Sequence, residues 1–90
     1  DPDLRAEVFW TLARAKNERA STLLRDIDPA KLSRHGYIAY VYGLHYLGKV
    51  TDELMAQLDL RMKQSNQGHD YWYWDSDADT AIYASLLLDR

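Results

Sequence analysis

Apolar residues near the start of the chain recur with a helical period. Leu4, Val8 and Leu12 follow one another at intervals of four residues, the spacing of one face of an amphipathic helix. Before them, Asp1-Pro2-Asp3 supplies an N-cap, a proline suited to the first helical position and an acid at the positive end of the helix dipole. We therefore predict a helix from the start of the chain to the polar stretch 16–19. Its core face is predicted to consist of Leu4, Val8 and Leu12, with Phe9 and Ala13 beside them.

A second, shorter helix is indicated by four apolar residues that share one helical face, Ala20, Leu23, Leu24 and Ile27. The dipeptide Asp28-Pro29 follows it, and proline disfavours helical geometry in the residue before it. We expect the helix to break there, or a new element to start.

The segment 33–47 is apolar on nearly every face. A helix without a polar stripe is typically buried on all sides, so this segment is predicted to be an inner helix. Gly48 is expected to end it, because glycine readily adopts the left-handed conformation that follows many helices. Its four tyrosines are expected to pack between helices, with their hydroxyls on backbone carbonyls or at the aqueous end of the bundle. They are Tyr37, Tyr40, Tyr42 and Tyr46.

An amphipathic outer helix is predicted from Thr51 onward. Asp52 and Glu53 fall in its first turn, where the helix dipole favours acids. One stripe of this helix is apolar and the opposite side is charged, as in a helix that covers a core. The apolar stripe is Leu54, Met55, Leu58 and Met62, and the charged residues opposite are Asp59, Arg61 and Lys63.

An aromatic loop at 69–74 precedes the last predicted helix. Ser76-Asp77-Ala78-Asp79 fits the capping-box pattern with Asp in place of Glu or Gln, so the helix is expected to begin after it and to cover the uncharged segment 80–88. The aromatic residues are either a plug at the end of a helical bundle or a candidate interaction surface for a sugar ring or a protein. They are Tyr71, Trp72, Tyr73 and Trp74.

Signals for β-strands are weak, because alternation with period two occurs only at 40–42, inside a longer helical pattern. The chain is therefore predicted to be all α, with four to five helices in which buried and amphipathic members alternate. Three residues also recur at an offset of 43 positions, which suits helical hairpin repeats of the kind that build solenoids and α/α toroids. The pairs are Ser33 with Ser76, Tyr40 with Tyr83, and Leu44 with Leu87.

Composition narrows the class of protein. Ninety residues, 47% of them hydrophobic and 28% charged, describe one globular domain with a modest core. A net charge of −3 without a basic run argues against a nucleic-acid partner. The uncharged stretch 35–48 is too short and too polar to insert into a membrane. The chain has no cysteine, which excludes disulfides, cysteine zinc sites and thiol nucleophiles within it.

Both ends of the sequence are interpreted as cuts in a longer pattern. The last residues, 86–90, contain none of the residue types that usually stop a helix. A piece of a closed helical ring exposes apolar faces that once met other helices, so we expect self-association.

Three carboxylates at alternate positions, Asp75, Asp77 and Asp79, resemble the start of an EF-hand calcium loop. Thr80 stands where that loop needs glycine, and Leu86 stands where it needs a bidentate glutamate. This mismatch favours solvated acids at the start of a helix, where the dipole stabilises them.

The tripeptide Asp79-Thr80-Ala81 resembles the end of the Asp-rich motif D-x-D-D-T-A of class II terpene cyclases, in which a carboxylic acid protonates an alkene. That motif needs aspartate at the positions of Ser76 and Ala78. The enzyme hypothesis is therefore an alternative rather than the main interpretation.

The histidines His35, His45 and His69 share no metal-ligand spacing, and the first two are expected to be satisfied core residues. No serine stands in a nucleophile-elbow context. We assign no catalytic, cofactor-binding or metal-binding residue.

Four segments carry a family resemblance. They are LRAEVFWTLARAK at the start, GYIAYVYGLHYLGK in the inner helix, DELMAQLDLRMKQ in the outer helix, and the aromatic loop followed by DTAIYA. Together they resemble the bacterial α-2-macroglobulin family, in the later part of its thioester-containing domain. The resemblance spans nearly the whole chain.

The resemblance implies an α/α toroid of alternating inner and outer helices, in a parent protein that traps target proteases covalently. In that family a protease cuts a bait segment, the protein rearranges, and a buried thioester between Cys and Gln acylates the attacker. Gln57, Gln64 and Gln67 have no cysteine three residues before them. This chain would then be a non-catalytic scaffold that contacts neighbouring domains of a periplasmic or cell-surface protein.

Two alternatives from other classes stay open. The chain could be a piece of a terpene-cyclase-like α/α toroid enzyme, or a stand-alone helical interaction module.

Overall fold

The computed structural model describes residues 1–65 and 73–89, with side chains for 1–63 and 80–89. Within these residues the chain is all α and contains no strand. The all-α character that the sequence predicts is therefore confirmed. The elements are α1 (Pro2–Arg14), α2 (Arg19–Leu24), a 3-10 turn (Pro29–Lys31), α3 (Arg34–Tyr46), α4 (Asp52–Ser65) and α5 (Tyr73–Asp89). None of the described helices is long and apolar enough to cross a membrane.

α3 lies at the centre, and α1, α4 and α5 all pack against it. Eight of its 13 residues are buried, as its lack of a polar stripe predicts. Ser33 caps its start, where the side-chain oxygen accepts from the Gly36 N–H. Gly48 follows its end with a φ of +70°, so the predicted stop is confirmed.

α1 and α3 form the most extensive helix contact among the described residues. Two glycines of α3 permit it: a Cβ added at Gly36 would overlap the Asp3 carboxylate, and one added at Gly43 would overlap the Phe9 ring. The two backbones approach closely because these positions carry no side chain.

The predicted core face of α1 is correct for Phe9 and Ala13, which are buried, and in part for Leu12, which is half-buried, but it is wrong for Leu4 and Val8. Leu4 and Val8 are 57% and 44% exposed. The buried residues are Ala6, Phe9 and Ala13, because two alanines and one ring fit the glycine-lined surface of α3, where a row of leucines would not. The predicted start is confirmed, since the Asp1 carboxylate accepts from the Asp3 N–H and Pro2 opens the helix.

The segment after α1 follows the prediction. Ala20 is buried, while Leu23, Leu24 and Ile27 are half-buried against the same core. The chain then breaks at Asp28, whose carboxylate accepts from the Ala30 N–H at 3.1 Å and caps the 3-10 turn.

α4 buries its predicted stripe, with Leu58 and Met62 in the core and Leu54 and Met55 at its edge. Arg61 does not face solvent as predicted. Its guanidinium donates to the carbonyls of Leu32 (2.9 Å) and Pro29 (3.3 Å) and lies 4.1 Å from the centre of the Tyr37 ring. The carbonyls of the 3-10 turn and of the residue after it hold it in this position.

α5 begins at Tyr73, seven residues before the predicted start at Thr80. Ser76 therefore lies inside the helix, and its predicted capping role is wrong. Leu86 is the buried residue of the described part of α5, whereas Leu87 and Leu88 are 49% and 86% exposed.

The residues that recur at an offset of 43 positions occupy different environments. Leu44 is buried in α3, while its counterpart Leu87 is half exposed in α5. Ser33 caps a helix, while Ser76 lies within one.

Candidate functional site

The last turns of α3 and α5 meet in a junction of aromatic and polar residues. The Tyr42 hydroxyl, from α3, donates a hydrogen bond to Oδ2 of Asp89, the last residue of α5, at 2.5 Å. The Tyr42 ring is stacked between Trp10 (centroids 5.1 Å apart, 24° between planes) and Tyr46 (5.4 Å, 15°). One tyrosine thus joins α1, α3 and α5.

The pKa of Tyr42 is raised above its ordinary value. Burial disfavours the charged phenolate, and the hydrogen bond to the Asp89 carboxylate requires the phenol proton. Tyr42 therefore acts as a fixed hydrogen-bond donor that holds Asp89 in place. It does not supply a base or a nucleophile at neutral pH.

A shallow, open hollow of about 340 Å³ lies beside this hydrogen bond, and His45, Gly48, Val50 and Asp89 line it. The imidazole of His45 packs edge-on against the Tyr42 ring, at 5.9 Å and 75°. The left-handed turn at Gly48 directs the chain around the rim. The hollow offers a carboxylate, a flat aromatic ring and an aliphatic side chain to a ligand.

A second polar contact joins the N-terminal halves of α1 and α3. The Asp3 carboxylate accepts from the Ser33 N–H at 3.0 Å and from the Ser33 hydroxyl. One turn further, Glu7 Oε1 and His35 Nε2 are 2.6 Å apart. These bonds fix α1 along α3 and place a carboxylate at the positive end of the α3 dipole.

The prediction that His35 and His45 are core residues is wrong. The side chain of His35 is 40% exposed and pairs with Glu7, and His45 is half-buried at the rim of the hollow. Both lie at ends of α3, where α1 and α5 bring carboxylates rather than apolar side chains.

A third polar contact joins α4 to α5. Asp59 accepts from the Tyr83 hydroxyl at 3.1 Å and pairs with Lys63 at 3.0 Å. The hydrogen bonds from Lys63 and Tyr83 lower the pKa of Asp59. Burial and the hydrogen bond to Asp59 raise the pKa of Tyr83. This contact lies at the protein surface and connects two helices.

The candidate interaction surface predicted from the aromatic loop lies outside the described residues. Tyr71 and Trp72 belong to the segment that the structure does not describe, and for Tyr73 and Trp74 only the backbone is described. The carboxylates predicted at the start of the last helix likewise have only their backbone described, and one histidine lies in the segment that is not described. These are Asp75, Asp77, Asp79 and His69.

The described residues contain no group of three or more His, Asp or Glu side chains that could hold a metal ion. The Trp10 indole N–H is buried and has no hydrogen-bond partner among them. These residues bring together hydrogen-bonded pairs between helices, which stabilise helix packing.

Sequence reasoning missed the junction of α3 and α5. Tyr42, His45 and Tyr46 share a helical face by spacing, and this pattern indicates an aromatic cluster. Nothing in the sequence links Tyr42 to Asp89, which is 47 positions away. Tyr37, Tyr40 and Tyr42 pack between helices as predicted, whereas Tyr46 is exposed and contacts rings of its own helix. The hydroxyl of Tyr42 bonds a carboxylate rather than a backbone carbonyl.

Comparison of the chain with protein-family models, with curated proteins and with solved structures finds no match in any of the three.

Proposed function

We propose that this chain is a non-catalytic scaffold segment of a layered helical wall, of the α/α toroid type. One observation carries the proposal. α1 and α5 each carry exposed apolar side chains opposite their buried face, and that side of the described part of α5 bears no charge, whereas the outer face of α4 mixes the exposed Ala56 and Leu60 with charged residues. A helix with two apolar faces needs a packing partner on each of them.

α1 is the first such helix. Its inner face, which includes Phe9 and Ala13, is buried against α3. Its outer face carries Leu4 and Val8, which are exposed. Single exposed apolar residues are ordinary on a protein surface, but two on the same face, one turn apart, form a continuous apolar strip.

α5 repeats this arrangement on the other flank. Leu86 is buried against α3, and the side of the helix opposite Leu86 carries Ala81, Ala84 and Leu88, all exposed. No described residue of that side from 80 to 88 is charged. α4 also exposes Ala56 and Leu60, one turn apart, but its other exposed residues with described side chains are polar or charged. They include Asp52, Glu53, Gln57 and Lys63.

This pattern supports a wall that continues beyond α1 and α5 and whose outer surface is formed by α4. An α/α toroid has such an order of helices, and the resemblance of the sequence to the thioester-containing domain of bacterial α-2-macroglobulins points to the same architecture. In that family the segment would help to keep the thioester dry until protease cleavage exposes it. The alternatives of a terpene-cyclase-like piece and of a stand-alone module lack an observation in their favour.

The proposed wall is tested by placing a charge on the outer face of α5 and measuring the free energy of unfolding of two proteins, the 90-residue chain and the longer gene product. In the 90-residue chain, Leu88→Glu should change the free energy of unfolding by less than about 0.5 kcal/mol, because the side chain is exposed. In the longer gene product the same change should cost about 2–4 kcal/mol, because the glutamate would be buried without a partner. Gln57→Glu on α4 is the control and should be neutral in both. Equal, small effects of Leu88→Glu in both lengths would show that the chain is self-contained.

The family is tested separately in the full-length gene product. Methylamine attacks a thioester carbonyl, forms an amide and releases the cysteine thiol. We expect a gain in mass of one methylamine per protein and one new free thiol. Replacement by alanine of the cysteine that precedes Glu-Gln should abolish both. A full reading frame without a Cys-x-Glu-Gln motif would remove covalent trapping from the proposal and leave the wall untouched.

A further inference from the structure

The hollow between α3 and α5 combines three features that fit one kind of side chain. The Asp89 carboxylate lies on its rim, and one of its oxygens, Oδ2, is held by the Tyr42 hydroxyl. The other oxygen accepts no hydrogen bond from the described residues. α3 ends here, and the C-terminal end of its helix dipole adds negative potential. The site therefore attracts a cation.

The rest of the hollow selects the shape of the cation. His45 presents a flat ring held at a fixed angle by the Tyr42 and Tyr46 rings. Val50 supplies an aliphatic surface on the same rim. A planar guanidinium stacks on an aromatic ring while its forked N–H groups bind a carboxylate, and its methylene stem packs on aliphatic residues.

The chain already contains a contact of this kind. The Arg61 guanidinium lies over the Tyr37 ring at 4.1 Å and donates to two carbonyl oxygens, those of Leu32 and Pro29. There the cation comes from within the chain. Lys49, which stands between Gly48 and Val50, is exposed, and the described residues show no ion pair between it and Asp89.

We propose that this hollow is a docking site for an arginine side chain of a partner polypeptide. Asp89 binds the guanidinium, His45 stacks on it, and Val50 contacts its stem. The inference is independent of the proposed function, since it requires only the junction and no family membership. It adds an interaction surface to a chain that was otherwise assigned a packing role.

The test uses amide chemical shifts of the 90-residue chain during titration with N-acetyl-arginine-amide at low salt. We expect saturable shifts at His45, Gly48, Val50 and Asp89, with a dissociation constant on the order of 10–100 mM, the range of a single exposed ion pair with stacking. N-acetyl-citrulline-amide has nearly the same shape without the charge and should not saturate these shifts. N-acetyl-lysine-amide should bind more weakly, because an ammonium group cannot stack on the imidazole or form two parallel hydrogen bonds to a carboxylate.

Variants locate the binding. Asp89→Asn keeps an acceptor for Tyr42 and removes the charge, so it should weaken binding by about tenfold or more. Glu53→Gln, which removes a charge at the exposed start of α4, is the matched control and should bind as the unaltered chain does. His45→Ala should weaken binding and His45→Phe should restore it. Equal shifts with citrulline, unchanged affinity in Asp89→Asn, or no saturable shift would each overturn the proposal.

Discussion

The two sides of α3 are packed by different means. Toward α1, glycines at 36 and 43 let the helices approach until Phe9 fills the remaining space, and the Asp3 and Glu7 carboxylates fix the alignment. Toward α4 and α5, ordinary apolar side chains meet, with Leu58, Met62 and Leu86 in the core. Helical periodicity predicts the second kind of contact, because leucines and methionines carry it. Helical periodicity does not predict the contact between α1 and α3, because that contact depends on two glycines, which have no side chain to appear in an apolar pattern.

The largest effect expected from this difference is at Phe9. Its ring is fully buried over Gly43, so Phe9→Ala should lower the free energy of unfolding by about 3–5 kcal/mol. The neighbouring Val8→Ala should cost less than about 0.5 kcal/mol, because Val8 is exposed. Urea unfolding followed by circular dichroism measures both. If Val8→Ala lowered the free energy of unfolding as much as Phe9→Ala, the face of α1 that carries Leu4 and Val8 would be the core face, as the sequence predicts.

Gly43→Ala should come next. The new Cβ overlaps the Phe9 ring, and such overpacking costs about 1–3 kcal/mol. The better helix propensity of alanine returns somewhat less than about 1 kcal/mol. We therefore expect Gly43→Ala to lower the free energy of unfolding, measured with urea, by about 1 kcal/mol, within the range for overpacked sites.

A double variant checks the cause of that loss. With Phe9→Ala in the background, the ring is gone, so Gly43→Ala should become neutral or stabilising. A cost that persists without the ring would mean that the glycine matters for a reason other than the close approach of α1.

The ends of α1 and α3 give a third effect, of about the same size as that of Gly43→Ala. Each of the two helices ends in the same pair of backbone hydrogen bonds. In α1 the Lys16 N–H donates to Ala13 O and the next N–H, of Asn17, donates to Leu12 O. In α3 the corresponding bonds run from Gly48 N–H to His45 O and from Lys49 N–H to Leu44 O. The left-handed residue is Lys16 in α1, at a φ of 58°, and glycine in α3. Lys16→Gly should therefore raise the free energy of unfolding by about 1 kcal/mol. Gly48→Ala should lower it by a similar amount, and a lysine variant that destabilises would contradict the argument.

These helix ends also show how far the sequence predicts the fold. The start of α1 at Asp1-Pro2 and the end of α3 at Gly48 were predicted, because their residue types have strong conformational preferences. The end of α1 gives no such signal, since Lys16 adopts a conformation that its type disfavours. The start of α5 was misplaced, because a capping pattern at Ser76 is also compatible with the interior of a helix.

The candidate site was less predictable than the fold. The Tyr42–Asp89 and Asp3–Ser33 hydrogen bonds join residues 47 and 30 positions apart. These residues meet only because their helices pack together, and no local sequence pattern indicates which residues will meet. Arg61 is a further example, because its spacing places it with the charged residues while the carbonyls of the 3-10 turn draw it inward.

The smallest expected effect concerns the α4–α5 contact, where polar groups lie at the surface instead of fixing an interface. The pKa of Asp59 is lowered by hydrogen bonds from Lys63 and Tyr83. Its contribution to stability is therefore present at neutral pH and is lost as the pH falls through the lowered pKa, below the ordinary aspartate value of about 4. Lys63→Gln should raise the pKa of Asp59 most, and Tyr83→Phe should raise it less, because the larger of the two hydrogen-bond contributions comes from Lys63. A pH titration of the Asp59 carboxyl carbon by NMR measures both. If Tyr83→Phe leaves the titration unchanged while Lys63→Gln moves it, α5 does not contact Asp59 in solution as described, and the α4–α5 side of α3 is packed by apolar side chains alone.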